Sequence, residues 1–139
     1  MVTADALAVS HLAAARKERQ ARLNPWQLAE AKAMSETKLQ TEARNQARIL
    51  RLLAYHTHDS RRSDKGFPDL VVVGPGGVLY RELKDETGVV SPDQVEWLVR
   101  LVEAGVDAGV WRPTDLVNGR IDHELAALRK PAPQLKEIR

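Results

Sequence analysis

Asp69, Glu82 and Lys84 are the side chains whose types and spacing could do chemistry together. They lie in GFPDLVVVGPGGVLYRELK, residues 66–84, where Val71, Val72 and Val73 make a β-branched strand and Val78, Leu79 and Tyr80 open a second. The Gly74-Pro75-Gly76-Gly77 connection is too short for a parallel crossover, so the strands are antiparallel neighbours. Pairing Val73 with Val78 and counting outward sets Val72 against Leu79, Val71 against Tyr80, Leu70 against Arg81 and Asp69 against Glu82. The two carboxylates then face each other with Cβ atoms about 5 Å apart. Alternation puts Lys84 on the face of Glu82. Such a pair is repulsive unless a cation holds it. A hard divalent ion relieves that repulsion, and Mg²⁺ takes oxygen ligands at about 2.1 Å. It acidifies water and polarises a phosphoryl oxygen, while Lys84 could orient that water or balance charge on the phosphate. The plainer alternative is an exposed hairpin in which Glu82 pairs with Lys84 or Arg81, a contact worth about 0–1 kcal/mol.

The flanking segments must position this trio. A helix is expected from Glu36 to Ala54, with Leu39, Glu42, Gln46, Ile49 and Leu53 at helical spacing. Glu42 thereby lies on the core-facing stripe, where a charge is rarely left unpaired unless it reaches solvent at the stripe's end; Arg44, Arg48 and Arg51 form a separate stripe suited to phosphates. Residues 55–58 read as the first strand, with His56 and His58 on one face, a weak zinc signal without a third ligand. The polar stretch 59–65 reads as a loop whose Arg61, Arg62 and Lys65 could hold a DNA backbone. Ser91-Pro92-Asp93-Gln94 is a capping box opening a helix that buries Val95, Leu98, Val99 and Val102 and ends at Gly105. Residues 106–111 form a strand reached by a crossover long enough to lie parallel to the Glu82 strand. Arg112 at its end could touch phosphate or serve structure. A short helix over Ile121–Lys130 and a tail at 131–139 finish the chain.

Four blocks carry a family resemblance: Gly66-Phe67-Pro68-Asp69-Leu70, Glu82-Leu83-Lys84, Gln94 with Trp97-Leu98, and Val110-Trp111-Arg112-Pro113. Together they resemble the VRR-NUC branch of the PD-(D/E)xK nucleases, over about Glu42 to Pro113. The resemblance implies a restriction-endonuclease-like α/β core, a mixed central sheet flanked by helices, here with an extra N-terminal helical segment. It also implies Mg²⁺- or Mn²⁺-dependent hydrolysis of DNA phosphodiesters. Asp69, Glu82 and the Leu83 carbonyl would hold the metal, Lys84 would position water, and Glu42 and Gln94 would stand beside them. Stand-alone members of phages and bacteria act on branched DNA such as Holliday junctions, as homodimers, and the branch includes a DNA-repair nuclease. The rival reading keeps the fold without chemistry, as a DNA-binding or partner-docking module. None of Glu42, Asp69, Glu82 or Lys84 is missing to favour it.

Composition sets the remaining bounds. At 139 residues, 43% hydrophobic and 29% charged, the chain is of ordinary globular make-up and long enough to bury a core. No cysteine is present, which removes disulfides and thiolate zinc sites and favours a reducing cytoplasm. No apolar run of about 20 residues suggests a membrane span, and Asp5 without an early basic cluster argues against a signal peptide. A net charge of +2 permits a nucleic-acid partner without requiring one. Residues 1–35 are expected to form a helical arm, broken at Asn24-Pro25, ahead of a nuclease domain at 36–130. Its Arg16, Lys17, Arg19 and Arg22 read as a solvated face, with DNA or dimer contact as alternatives.

Overall fold

A computed structural model describes residues 4–57 and 63–131. His58, Arg61, Arg62 and nearly all of the expected tail lie outside them. In chain order the elements are α1 (Ala4–Ala21), α2 (Pro25–Ala33), α3 (Glu36–Ile49), β1 (Leu53–His56), β2 (Leu70–Gly74), β3 (Gly77–Leu83), α4 (Pro92–Glu103), β4 (Asp107–Trp111), α5 (Pro113–Val117) and α6 (Arg120–Ala127). The sheet runs β1-β2-β3-β4. β1, β2 and β3 are antiparallel and β4 adds parallel to β3 through the α4 crossover, giving the expected mixed sheet flanked by helices.

The hairpin register is the expected one from Leu70↔Arg81 to Val73↔Val78. The ladder stops there, so Asp69 lies one residue beyond the last β2–β3 pair instead of opposite Glu82 in it. The turn is pressed onto the end of α6, where the Gly76 amide donates to the Leu128 carbonyl at 2.7 Å. A Cβ at Gly76 would stand 2.5 Å from the Lys130 carbonyl oxygen, so the glycine is needed for this close approach.

Alternation along β3 divides the molecule into two faces. Leu79 and Leu83 point into the apolar core with Leu70, Val72, Leu39, Ala43, Ala47, Trp111, Ile121 and Leu125, against α3 and α6. Tyr80 and Glu82 point the other way, towards Phe67 and the first turns of α4. α3 is shorter than its expected 36–54 span. Arg51 takes φ 60°, a left-handed conformation that ends the helix, and β1 starts two residues earlier than the expected strand. The buried stripe of α3 is Leu39, Ala43 and Ala47, while Ile49 and Leu53 are 71% and 75% exposed. α5 was not anticipated. Pro113 opens it and the Asp115 carboxylate accepts from the Arg112 amide at 2.8 Å, a helix start in which the acidic side chain reaches back to a free N–H.

α1 and α2 pack on the rest of the fold, α1 against α4 and α5 and α2 against α5. Asn24 caps α2 as expected, with Gln27 completing a capping box. Arg19 Nε lies 2.7 Å from Asp115 Oδ1, and Asp115 is fully buried. Arg16 donates to the Glu86 carbonyl, while the buried Glu86 carboxylate accepts from Gln20 Nε2 and from the Thr114 amide. Among the described residues no helix is long and apolar enough to cross a membrane.

Candidate active site

Glu82 is the centre of the site because it is the acid that the fold buries most awkwardly. It is 1% exposed, near the C-terminal end of β3. Its Oε1 accepts from Gln94 Nε2 at 2.8 Å and lies 3.5 Å from Lys84 Nζ. Its Oε2 is buried with no hydrogen-bond partner among the described residues. Asp69 reaches the same place from the chain entering β2, and its Oδ2 accepts from the Leu83 amide at 3.0 Å. Burial first, then the Asp69 charge and a hydrogen bond with Asp69, push Glu82 up to about 9; Lys84 opposes the shift.

Local sequence explains how the pieces are held. Gly66 takes φ 92° and packs so closely on α4 that a Cβ there would lie 2.4 Å from the Asp93 carbonyl carbon, which fixes Phe67-Pro68-Asp69 beside the helix start. Ser91 Oγ accepts from the Gln94 amide at 3.3 Å and Gln94 Oε1 accepts from the Ser91 amide at 2.9 Å. The capping box thus aims the remaining Gln94 amide protons at Glu82, so one side chain does both jobs. Lys84 is 15% exposed and its amide donates to the Trp111 carbonyl at 3.1 Å, extending the β3–β4 pairing past the strand end. The group opens into a cleft of about 720 Å³. Among the described residues, Lys65 and Lys84 share it with Glu36, Asp64, Asp69, Glu82 and Asp93.

Several expected site residues stand elsewhere. Glu42 is outside the cleft, half-exposed and paired with Lys38 at 3.0 Å one turn away. The carboxylate that α3 does bring to the cleft is Glu36, in its first turn. Burial raises the Glu36 pKa, the Lys84 charge lowers it, and Asp69 and Asp85 raise it further. Sequence periodicity could not find Glu36, since a residue in a helix's first turn faces whatever lies beyond the helix end. Arg112 is not available to phosphate: it is 7% exposed, and its guanidinium donates to the Asp85 and Gly88 carbonyls at 2.7 Å each. Burial, then the Arg16 charge, lowers its pKa against the pull of Glu86, Asp115 and Asp85. Its work is to hold the loop after Lys84. Arg44 and Arg48 lie on α3 away from the cleft, and Arg48 donates to Asn45. Lys65 lines the cleft. His56 Nδ1 contacts Gln40 at 2.7 Å.

The donor set suits a hard divalent cation. Asp69 and Glu82 present oxygen only, Mg²⁺ is commonly held by one or two carboxylates with waters completing the shell, and Oε2 of Glu82 is a buried acceptor in need of a positive partner. Among the described residues no group of three His, Cys, Asp or Glu side chains is set to hold a metal.

The mixed sheet carries two acids and a lysine at the end of adjoining strands, and the family match makes this a nuclease-type, DNA-binding α/β domain. The family model described as VRR-NUC domain matches residues 4–114, and the chain belongs to that family. The match begins well before Glu42, the expected start of the resemblance, and so takes in α1 and α2, in keeping with their packing on α4 and α5. No curated protein and no solved structure matches the chain.

Proposed function

We propose that this protein is a Mg²⁺- or Mn²⁺-dependent endodeoxyribonuclease. The observation that carries the reading is Glu82, buried against Asp69 with one oxygen unpartnered and Lys84 alongside. Asp69, Glu82 and the Leu83 carbonyl would hold the ion. When bound, such an ion lowers the pKa of water and withdraws charge from a phosphoryl oxygen. Gln94 keeps Glu82 Oε1 in place, so the carboxylate meets its ligand already oriented. Lys84 orients the attacking water and balances charge that gathers on the phosphate. Glu36 lines the cleft, where it can assist through a water. Branched DNA, such as a Holliday junction, and a two-fold homodimer form the finer part of this proposal, since two-fold symmetry sets two sites on two strands.

The test is cleavage of labelled junction, flap and linear duplex by the purified chain, with and without Mg²⁺ or Mn²⁺. Lys84→Ala is expected to fold and to lose roughly 100-fold or more of the metal-dependent rate. Undiminished cleavage by Lys84→Ala, or cleavage in excess chelator, overturns the proposal.

A further inference from the structure

We propose that the cleft receives an unpaired nucleotide whose base stacks on an aromatic wall, with Tyr55 as its open member. This rests on the nuclease reading of the same cleft and narrows its substrate to DNA offering a single-stranded or frayed nucleotide beside the cut.

Four of the chain's six aromatic residues, Tyr55, Phe67, Tyr80 and Trp97, gather on the Glu82 face of the sheet, whereas Trp111 sits in the apolar core. Three of them lock one another. Phe67 meets Tyr80 edge-on at 6.1 Å and Trp97 edge-on at 5.1 Å, and Trp97 Nε1 donates to the Lys65 carbonyl at 3.0 Å. Cross-strand register extends the row, Tyr55 opposite Val71 and Val71 opposite Tyr80. Tyr55 differs from the others in being 64% exposed while still lining the cleft. One same-face step further along its strand is Thr57, whose amide donates to the Asp69 carbonyl at 3.3 Å. The exposed ring is therefore about 7 Å along the strand from the level of the acidic pair, within one nucleotide's reach.

The charges of the cleft make a base the fitting occupant. Among the described residues that line it, carboxylates outnumber lysines, a surface on which an uncharged group meets no repulsion. A nucleobase is flat and uncharged, and stacking on an aromatic ring is indifferent to those carboxylates and tolerant of sequence. A base inside a duplex is already stacked on both sides and has no face to offer, which is how the wall selects unpaired nucleotides.

The experiment uses the full chain in Ca²⁺ buffer with two oligonucleotides, a blunt duplex and the same duplex continuing as a single-stranded overhang. Each carries 2-aminopurine, once at the first unpaired position and once at the matched paired position. Wild type and Tyr55→Phe are expected to quench the unpaired probe and to prefer the overhang. Tyr55→Ala, at an exposed position where circular dichroism should be unchanged, is expected to lose the quenching and about tenfold in overhang affinity, with blunt-duplex affinity unaltered. Equal binding of both DNAs by wild type and Tyr55→Ala overturns the inference. So does a dimer-to-monomer change in Tyr55→Ala with DNA preference intact, which would make the ring a contact to a second copy. Cleavage assays on the same DNAs separate the two readings. Equal cutting of both in Mn²⁺ defeats the base wall and leaves the nuclease, whereas intact quenching with no cutting defeats the nuclease and leaves the wall.

Discussion

Arg81 and Glu82 are consecutive, both buried at 4% and 1% exposure, and they have opposite fates. On one face of β3 the Arg81 guanidinium donates to the Tyr80 and Asp107 carbonyls, to Asp107 Oδ1 at 2.8 Å and to Glu124 Oε1 at 3.2 Å. It also sits 5.3 Å over the Trp111 ring, whose Nε1 donates to Glu124 Oε2. On the other face Glu82 shares a cleft with a second carboxylate and keeps an oxygen without a donor. A buried charge with acceptors at both of its guanidinium amino groups is part of the scaffold. A buried charge left short of partners is held in place by the rest of the fold, and its imbalance points to something that binds there. The same strand supplies both.

The contrast can be broken most forcefully from the scaffold side. Arg81→Met is expected to cost about 3 kcal/mol of folding stability, because Glu124 loses its buried cation. Urea unfolding measures it, and the folded fraction should still cut DNA at the wild-type rate. Glu82→Gln should do the reverse, abolishing metal-dependent cleavage while stabilising the metal-free fold at neutral and alkaline pH. The sign follows from the raised pKa. Between the ordinary value of 4.5 and about 9 the unfolded chain has released the Glu82 proton and the folded chain retains it, so stability falls as pH rises through that window. Melting temperature followed from pH 5 to 9 in chelator should therefore decline more steeply in wild type than in Glu82→Gln, by about 4 °C for each kcal/mol of difference. Added Mg²⁺ should restore wild type alone. The smallest effect separates two glutamates of one helix. Glu42→Gln removes an exposed pair worth about 0.3–0.5 kcal/mol and should leave cleavage within about twofold, whereas Glu36→Gln should slow it by more. Equal losses would return Glu42 to the site.

The parts of this molecule legible in sequence are those governed by short-range rules. Hairpin register followed from a four-residue turn and strand alternation, and Gln94 was found through its capping box. Asp69 was placed near Glu82 by counting, but the ladder ends at Leu70 and the two acids meet through a side chain that bonds the Leu83 amide. Glu42 falls outside the cleft because small residues, not large aliphatics, set which side of α3 is buried. Ala43 and Ala47 let α3 lie close on the sheet, and the helix turned to bury them, leaving Ile49 and Leu53 outside. Arg112 looked like a phosphate contact because nothing in its neighbourhood of sequence reveals that Asp85 and Gly88, more than twenty positions earlier, wait for its donors. Long-range hydrogen bonds leave no local signature.

The clasp around Glu86 has a practical consequence. Gln20, Arg16 and the Thr114 amide all close on a residue two positions past Lys84, and Arg112 ties down the same loop. A version of this protein trimmed to begin at α3 would strip two acidic side chains, Glu86 and Asp115, of the cover that makes their burial tolerable. Slack would enter the very backbone that carries the lysine. The first helix is the far wall of the mooring that holds the Glu82 hairpin.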